Sequence, residues 1–340
     1  MSPPVLEVQD LTTQYWTTRG WVKAAEGVNF KLERGEALGL VGESGCGKTT
    51  VALSLVNILP SGGKIKRGKI LFKGDDLVKY SESEMRKIRW KGISIVFQGA
   101  MNALNPVYRV GEQVVEAIKT HEPKTSAAEA KKRTEQLFEL VGLDPERASN
   151  YPHEFSGGMR QRALIAMALA LNPDVLVADE PGTALDVIVQ AQVLRLMREL
   201  REKLNLSMVL ISHDLSIVAE TADKVAIMYA GRIVEYGDVK DIFKEPLHPY
   251  TQGLIGAFPS ITQPRTKLMS IPGQPPDLLN PPKGCRFHPR CPYVMDVCKT
   301  VDPELIANKP EHLVACHLYP ASASSSAPSS VLPSESRAGQ

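Results

Sequence analysis

Hydrophobic positions along the chain fall into two alternating textures. Short unbroken apolar runs, Ala37-Leu38-Gly39-Leu40-Val41, Val175-Leu176-Val177-Ala178 and Met208-Val209-Leu210-Ile211, are bounded by polar residues or glycine. Runs of that length without a polar face fit strands covered on both sides in a parallel sheet. Longer stretches with a helical period lie between them. One follows a glycine-rich turn from Thr49 to Leu59. Another carries Leu185, Val189, Val193, Leu196, Met197 and Leu200 as a single stripe between Leu185 and Leu204, which would cover one face of the sheet. Strand, helix, strand, helix in this order predicts an α/β fold.

From Val110 to Leu171 the pattern is almost entirely helical. Ser126 with Glu129 three residues on reads as a capping box, opening a helix that is charged on one side and runs to Val141. Met159 to Leu171 is more apolar and closes the segment. This predicts a helical insert, about residues 99–171, within an α/β core spanning 1–258. After Phe258 proline recurs at 259, 264, 272, 275, 276, 281 and 282 and periodicity ends, which marks a linker into a separate small unit over 259–320. Residues 321–340, rich in serine and alanine, hold too little apolar surface to offset ordering entropy and are expected to be disordered.

Composition narrows the function classes. Lys and Arg number 40 against 38 Asp and Glu, so the formal net charge of +2 argues against a dedicated nucleic-acid binder, which needs a clustered positive excess. The longest apolar run, Ala163 to Leu171, is nine residues, short of the ~20 that a membrane-spanning helix needs. The start MSPPVLEVQD lacks the pattern of a secretory signal, and an intracellular protein is expected.

Candidate chemistry begins with Gly42-Glu43-Ser44-Gly45-Cys46-Gly47-Lys48-Thr49, which fits G-x-x-x-x-G-K-[ST] between a predicted strand and a predicted helix. In that setting the glycines let backbone N–H groups wrap phosphates, Lys48 reaches the β and γ phosphates, and the Thr49 hydroxyl ligates Mg²⁺. Thr50 continues the loop into the helix. Cys46 is read as structural, since the loop needs a small side chain there. The run ending in Asp179-Glu180 delivers two carboxylates: Asp179 for the Mg²⁺ shell and Glu180 to polarise a water for in-line attack. Four more cysteines, Cys285, Cys291, Cys298 and Cys316, are separated by 6, 7 and 18 positions. None of these gaps is a C-x₂₋₄-C zinc knuckle, and four thiolates on a proline-rich loop also suit an iron–sulfur cubane.

Phe155-Ser156-Gly157-Gly158-Met159-Arg160-Gln161-Arg162 resembles the signature sequence of the ATP-binding cassette ATPases, and the resemblance covers about residues 5–258. It implies a RecA-like core with an antiparallel β subdomain and a helical subdomain. Residue by residue, Gln98 resembles the Q-loop glutamine that contacts Mg²⁺ and the water, and Ala184-Leu185-Asp186 resembles the D-loop. His213 resembles the switch histidine at the γ-phosphate, and Tyr15, 27 positions before Gly42, stands where the family places an aromatic residue on adenine. The family implies ATP sandwiched between two cassettes, with Ser156, Gly157 and Gly158 facing the nucleotide of the other subunit. Pro181-Gly182-Thr183 departs from the usual Pro-Thr-Thr or Pro-Thr-Ser and puts the D-loop geometry in question.

Lys48 and Ser156 stand only 108 positions apart, too close for the coiled coil of repair ATPases, and one nucleotide site per chain differs from translation-associated cassettes. The stretch Gln98-Gly99-Ala100-Met101-Asn102-Ala103-Leu104-Asn105-Pro106 and the motif His248-Pro249-Tyr250-Thr251 resemble the ATPases of oligopeptide and dipeptide importers. That resemblance implies a peripheral subunit at the cytoplasmic face of the membrane, pairing as a heterodimer with a paralogous ATPase. It also implies two permease subunits and an external solute-binding protein. It implies a [4Fe–4S] cluster on the four cysteines, with Zn²⁺ as the alternative. Oligosaccharide import is open beside peptide import, and a soluble nucleotide-dependent regulator is the competing class.

Overall fold

Chain order follows the alternation of textures. The structure is a computed structural model that describes residues 3–99, 103–183, 185–257 and 271–319. Two long strands, β1 (Leu6–Thr17) and β2 (Gly20–Leu32), precede β3 (Ala37–Val41) and α1 (Lys48–Leu55). Then come β4 (Gly63–Phe72), β5 (Asp75–Asp76), α2 (Glu82–Ile88) and β6 (Ile93–Val96). The predicted helical insert is α3 (Val110–His121), α4 (Ala127–Leu140) and α5 (Gly157–Ala168). The core resumes with β7 (Val175–Asp179), α6 (Val187–Leu204), β8 (Ser207–Ser212), α7 (Leu215–Thr221), β9 (Lys224–Tyr229), β10 (Arg232–Asp238), α8 (Val239–Lys244) and α9 (Pro249–Gly256). The C-terminal segment adds α10 (Asp296–Thr300), β11 (Ile306–Lys309) and β12 (His312–Val314).

The three unbroken apolar runs are β3, β7 and β8, buried at every position. They lie side by side and parallel in an eight-stranded sheet of order β11-β12-β10-β9-β3-β8-β7-β6. Their alternate residues serve opposite faces, as a period of two requires. Ala37, Val41, Leu176, Ala178, Met208 and Leu210 pack with the apolar stripes of α3 to α7. Leu38, Leu40, Val175, Val177, Val209 and Ile211 pack with α1 and with a second, antiparallel sheet of order β2-β1-β4-β5. The stripe on α6 buries Val193, Leu196, Met197 and Leu200. Ser126 caps α4 through an N–H bond from Glu129 to its hydroxyl at 3.2 Å. Among the described residues no helix is long and apolar enough to cross a membrane.

The composition shift after residue 258 suggests a unit set apart, yet β12 pairs antiparallel with β10, so the segment prolongs the main sheet. Periodicity gives no sign of this because β11 and β12 are short edge strands. Their seat is polar: the fully buried Glu235 carboxylate on β10 accepts from the Leu247 and His248 N–H groups at 2.8 and 2.9 Å and lies 2.8 Å from His312 Nε2 on β12. The start of the linker and the expected tail from 321 lie outside the described residues.

Candidate functional site

Sheet register assembles the site. Val41 stands opposite Ser212, and Asp179 opposite Ile211, so β3, β8 and β7 end together at their carboxyl edge. Chain segments leaving adjacent parallel strands there form the crevice in which α/β sheets bind ligands. The glycine-rich loop leaves β3, Glu180 leaves β7, and His213 leaves β8; Gln98 follows β6, whose Val96 pairs with Ala178.

The loop Gly42–Thr49 wraps into the first turn of α1. Gly45 and Gly47 hold φ of +77° and +106°, backbone that favours glycine. A Cβ on Gly47 would stand 2.0 Å from the Ala24 carbonyl oxygen on β2, and one on Gly42 would stand 2.0 Å from the Met228 carbonyl oxygen. Gly45 and Ser44 face open space. Lys48 is buried and donates to the Gly42 and Glu43 carbonyls at 2.7 and 3.1 Å. Thr49 is exposed at the mouth, while Thr50 is buried in the helix. Burial pushes the Cys46 thiol up to about 11, consistent with a packing role and no thiolate chemistry.

Asp179 is 1% exposed, and its Oδ1 has no hydrogen-bond partner. Burial raises its pKa and the neighbouring Glu180 adds to the rise, against the pull of the Thr49 hydroxyl and Lys48. An orphaned buried carboxylate oxygen beside a threonine hydroxyl suits a hard divalent cation such as Mg²⁺, which would satisfy it.

Glu180 sits at φ +47°, a left-handed conformation costly for a residue with a side chain and concentrated at functional sites. Its N–H continues the sheet to the Ile211 carbonyl at 2.9 Å, while its side chain turns across the crevice. Oε2 accepts from Gln98 Nε2 at 2.8 Å and from the Thr183 hydroxyl at 2.9 Å, and Oε1 lies 3.1 Å from His213 Nδ1. Gln98, Glu180 and His213, distant in sequence, thus meet on one carboxylate. His213 remains 64% exposed on its side chain, open to an incoming ligand.

Thr183 was not among the residues singled out from the sequence. Its signal lay in the departure at Gly182, beside it, where a Cβ would crowd the Gln190 side chain at 2.5 Å. With no side chain at Gly182, the neighbouring Thr183 hydroxyl still reaches Glu180.

The remaining motif residues stand apart from this cluster. Ser156 caps α5, accepting from the Met159 N–H at 3.3 Å, and a Cβ on Gly158 would meet Val189 at 2.4 Å. No hydrogen bond among the described residues joins Ser156, Gly157 or Gly158 to the loop Gly42–Thr50. Asp186 caps α6 through the Val189 N–H at 2.9 Å. Tyr15, half-buried, pairs with Val22 and Gly63 on the hairpin whose Ala24 touches Gly47. Ala184, Ala100, Met101 and Asn102, parts of two motifs, lie outside the described residues.

Cys285, Cys291, Cys298 and Cys316 line one small cavity together with His288 and His317. Burial and the other cysteines push the Cys285 and Cys316 thiols up to about 11, and burial raises Cys291 as well. Among the described residues, no group of three or more His, Cys, Asp or Glu side chains stands ready to hold a metal ion.

Residues 25–183 match the family model described as ABC transporter, and residues 234–298 match that described as Oligopeptide/dipeptide transporter, C-terminal region. The chain is 49% identical to the Dipeptide transport ATP-binding protein DppD of Bacillus subtilis, over 92% of this chain and 94% of that protein. It is 50% identical to the Oligopeptide transport ATP-binding protein OppD of the same organism, over 91% of this chain and 87% of that protein. Among solved structures, a dimeric post-hydrolysis ATP-binding cassette bound to ADP and Pi aligns with a TM-score of 0.62 at 26% identity, covering 69% of this chain and 98% of its own. The cassette cbiO1 from Clostridium perfringens aligns with the same TM-score at 29% identity, over 72% of this chain and 92% of its own.

Proposed function

This chain belongs to the ABC transporter ATPases, in their oligopeptide and dipeptide branch, and from that premise we propose how its residues power peptide import. It is the ATP-binding and ATP-hydrolysing subunit of an importer that works with transmembrane permeases and a substrate-binding protein. The relatives are named for dipeptides and oligopeptides, which favours peptide over oligosaccharide as the solute and gives no support to a membrane-independent regulator.

The observation that carries the mechanism is the convergence of Gln98, Thr183 and His213 on the Glu180 carboxylate. The loop Gly42–Thr50 cradles the phosphates, with Lys48 leaving its carbonyl partners for the β and γ oxygens. Thr49 and Asp179, joined by Gln98, would hold Mg²⁺, which when bound would supply positive charge against the phosphates. Glu180 accepts the proton of the attacking water, and Gln98 and His213 orient that water and the γ-phosphate. Tyr15 stacks on adenine. Ser156, Gly157, Gly158 and Asp186 act across a dimer, on nucleotide held by the partner. That reading is supported by the lack, among the described residues, of any hydrogen bond from Ser156 to its own loop and by Val187 and Ile188, 81% and 73% exposed beside Asp186. The partner is a paralogous ATPase, and the pair sits on the permeases at the cytoplasmic face.

The boundaries near 258 and 320 separate the cassette, with its helical subdomain, from the extension and the tail. In the extension, Cys285, Cys291, Cys298 and Cys316 would hold a [4Fe–4S] cluster, with Zn²⁺ as the alternative. Support lies in the four cysteines lining one cavity, although among the described residues their side chains do not form a ready-made metal group. Bound there, the cluster would act as a structural staple. Iron and acid-labile sulfide in equal amounts would support it; stoichiometric zinc would replace it.

Uptake of a labelled oligopeptide by cells whose only copy of this chain carries Lys48→Ala tests the main reading. Uptake should fall to background, and permease subunits should co-purify with the parent chain from solubilised membranes. Undiminished uptake, or a chain that never co-purifies with a permease, sinks it.

A further inference from the structure

Arg290 belongs to the extension but ends in the phosphate loop. It closes a 3-10 turn, His288–Arg290, with its N–H on the Phe287 carbonyl at 2.9 Å. Phe287 anchors the turn in an aromatic cluster with Tyr229 and Tyr250, at ring separations of 5.1 and 5.4 Å. From there the guanidinium, on a residue 7% exposed, forms a two-pronged pair with Glu43: Nη1 to Oε2 at 2.7 Å and Nη2 to Oε1 at 2.9 Å. Its Nε donates to the Pro272 carbonyl at 2.7 Å, which fixes the fork's plane. The Glu43 N–H donates to the Tyr250 hydroxyl at 2.9 Å, so backbone and side chain of one loop residue are both held from outside the loop.

Glu43 is the second residue of the loop read above as the ATP cradle, and its carboxylate is an anion on an anion-binding element. Unpaired, it would oppose the triphosphate and, with one prong free, let the loop's N–H groups drift from their inward aim. A planar guanidinium cancels that charge and fixes its direction at once, which an ammonium cannot do. We infer that Arg290 is a positioning residue for ATP binding, which pins and neutralises Glu43 so that the phosphate loop is complete only with the extension in place. The inference rests on the reading of Gly42–Thr50 as the ATP site.

The test compares ATP KM and kcat of the assembled importer carrying Arg290→Met, with and without Glu43→Gln, and Lys48→Ala as a control. Arg290→Met should raise the ATP KM about tenfold with kcat nearly unchanged, and adding Glu43→Gln should restore most of it, because the offending charge is gone. A purely structural role for Arg290, through Pro272 or the aromatic cluster, would not be relieved by neutralising Glu43. An unchanged KM in Arg290→Met, or no relief from Glu43→Gln, overturns the inference. Should Arg290→Met fail to fold, Arg290→Lys carries the same comparison, with a rise of about threefold that Glu43→Gln removes. If Lys48→Ala binds ATP as well as the parent, the reading of the site fails, whatever Arg290 does.

Discussion

Replacing Glu180 by Gln exchanges one carboxylate oxygen for an amide nitrogen and leaves size and shape unchanged. The effect can be worked from the three partners of that carboxylate. The new amide oxygen can take the place of Oε2, still accepting from Gln98 Nε2 and the Thr183 hydroxyl, now at 2.8 and 2.9 Å. The amide NH₂ would then face His213 Nδ1, now 3.1 Å away, which accepts in one tautomer. Packing and partners survive, so the loss is confined to basicity. Removing a positioned general base costs about 10²- to 10⁴-fold, or ~3–5 kcal/mol of barrier. Phosphate release by the assembled importer at saturating ATP reads kcat, and a fluorescent ATP analogue reads affinity in parallel. The expected outcome is a kcat at least about a hundredfold down, with affinity within about threefold. Turnover within tenfold of the parent would refute the assignment of Glu180 as the base and leave its three hydrogen bonds without a catalytic meaning.

Thr183→Val removes one of the two donors on Glu180 Oε2 at nearly constant volume; kcat should fall about five- to tenfold with KM unchanged, and an unaltered kcat excludes Thr183 from the site. Gly47→Ala places a Cβ 2.0 Å from the Ala24 carbonyl oxygen at φ +106°, so the variant should melt several degrees lower and lose ATP binding; a stable variant that binds ATP contradicts the loop geometry. His248 is buried with its Nδ1 accepting the Tyr250 N–H, and burial pushes its pKa from 6.5 down to about 4. The unfolded chain then binds the proton more tightly, so stability is intact above pH 6.5 and is lost as pH falls toward 4, by about 3 kcal/mol over that window. Urea titrations from pH 7 to 4 should show that acid limb, and His248→Asn should flatten it; equal limbs in both proteins would remove His248 as its source.

Much of the fold was legible because the strongest signals are local. β3, β7 and β8 are unbroken apolar runs, and only a strand covered on both faces can use such a run. The loop between β3 and α1 was legible from its glycines, two of which, Gly45 and Gly47, hold the positive φ that favours glycine. Two kinds of feature were not. The meeting of Gln98, Glu180 and His213 depends on the register that sets Asp179 beside Ile211 and Val96 beside Ala178, which no short window of sequence contains. The role of Thr183 is not legible either, because its hydroxyl reaches Glu180 only through the turn that follows β7, which the sequence pattern does not specify. The joining of the extension to the sheet escaped for another reason. Its two strands are too short for a readable alternation, and β12 meets a buried carboxylate 77 residues earlier in the chain.

That carboxylate gives the extension a physical logic that its proline-rich composition hides. Glu235 lies on β10, which would otherwise end the sheet with an unpaired row of N–H and C=O groups. Fully buried, it is tolerable only with its oxygens partnered, and the partners come from both sides of the 258 boundary: the Leu247 and His248 N–H groups from the cassette, and His312 Nε2 from the extension. The same division of labour recurs at the phosphate loop, where Tyr250 holds the Glu43 N–H and Arg290 holds its carboxylate. In both places a cassette residue is held in part by the cassette, and the extension supplies the remaining partner, His312 or Arg290. Tyr229, at the end of β9, packs tilted against Tyr250 at 4.6 Å and edge-on against Phe287 at 5.1 Å, so one aromatic cluster lies between the two arrangements. The turn between Cys285 and Cys291 is thereby joined to the glycine-rich loop through Arg290 on the Glu43 carboxylate and through Phe287 packed on Tyr250, whose hydroxyl takes the Glu43 N–H.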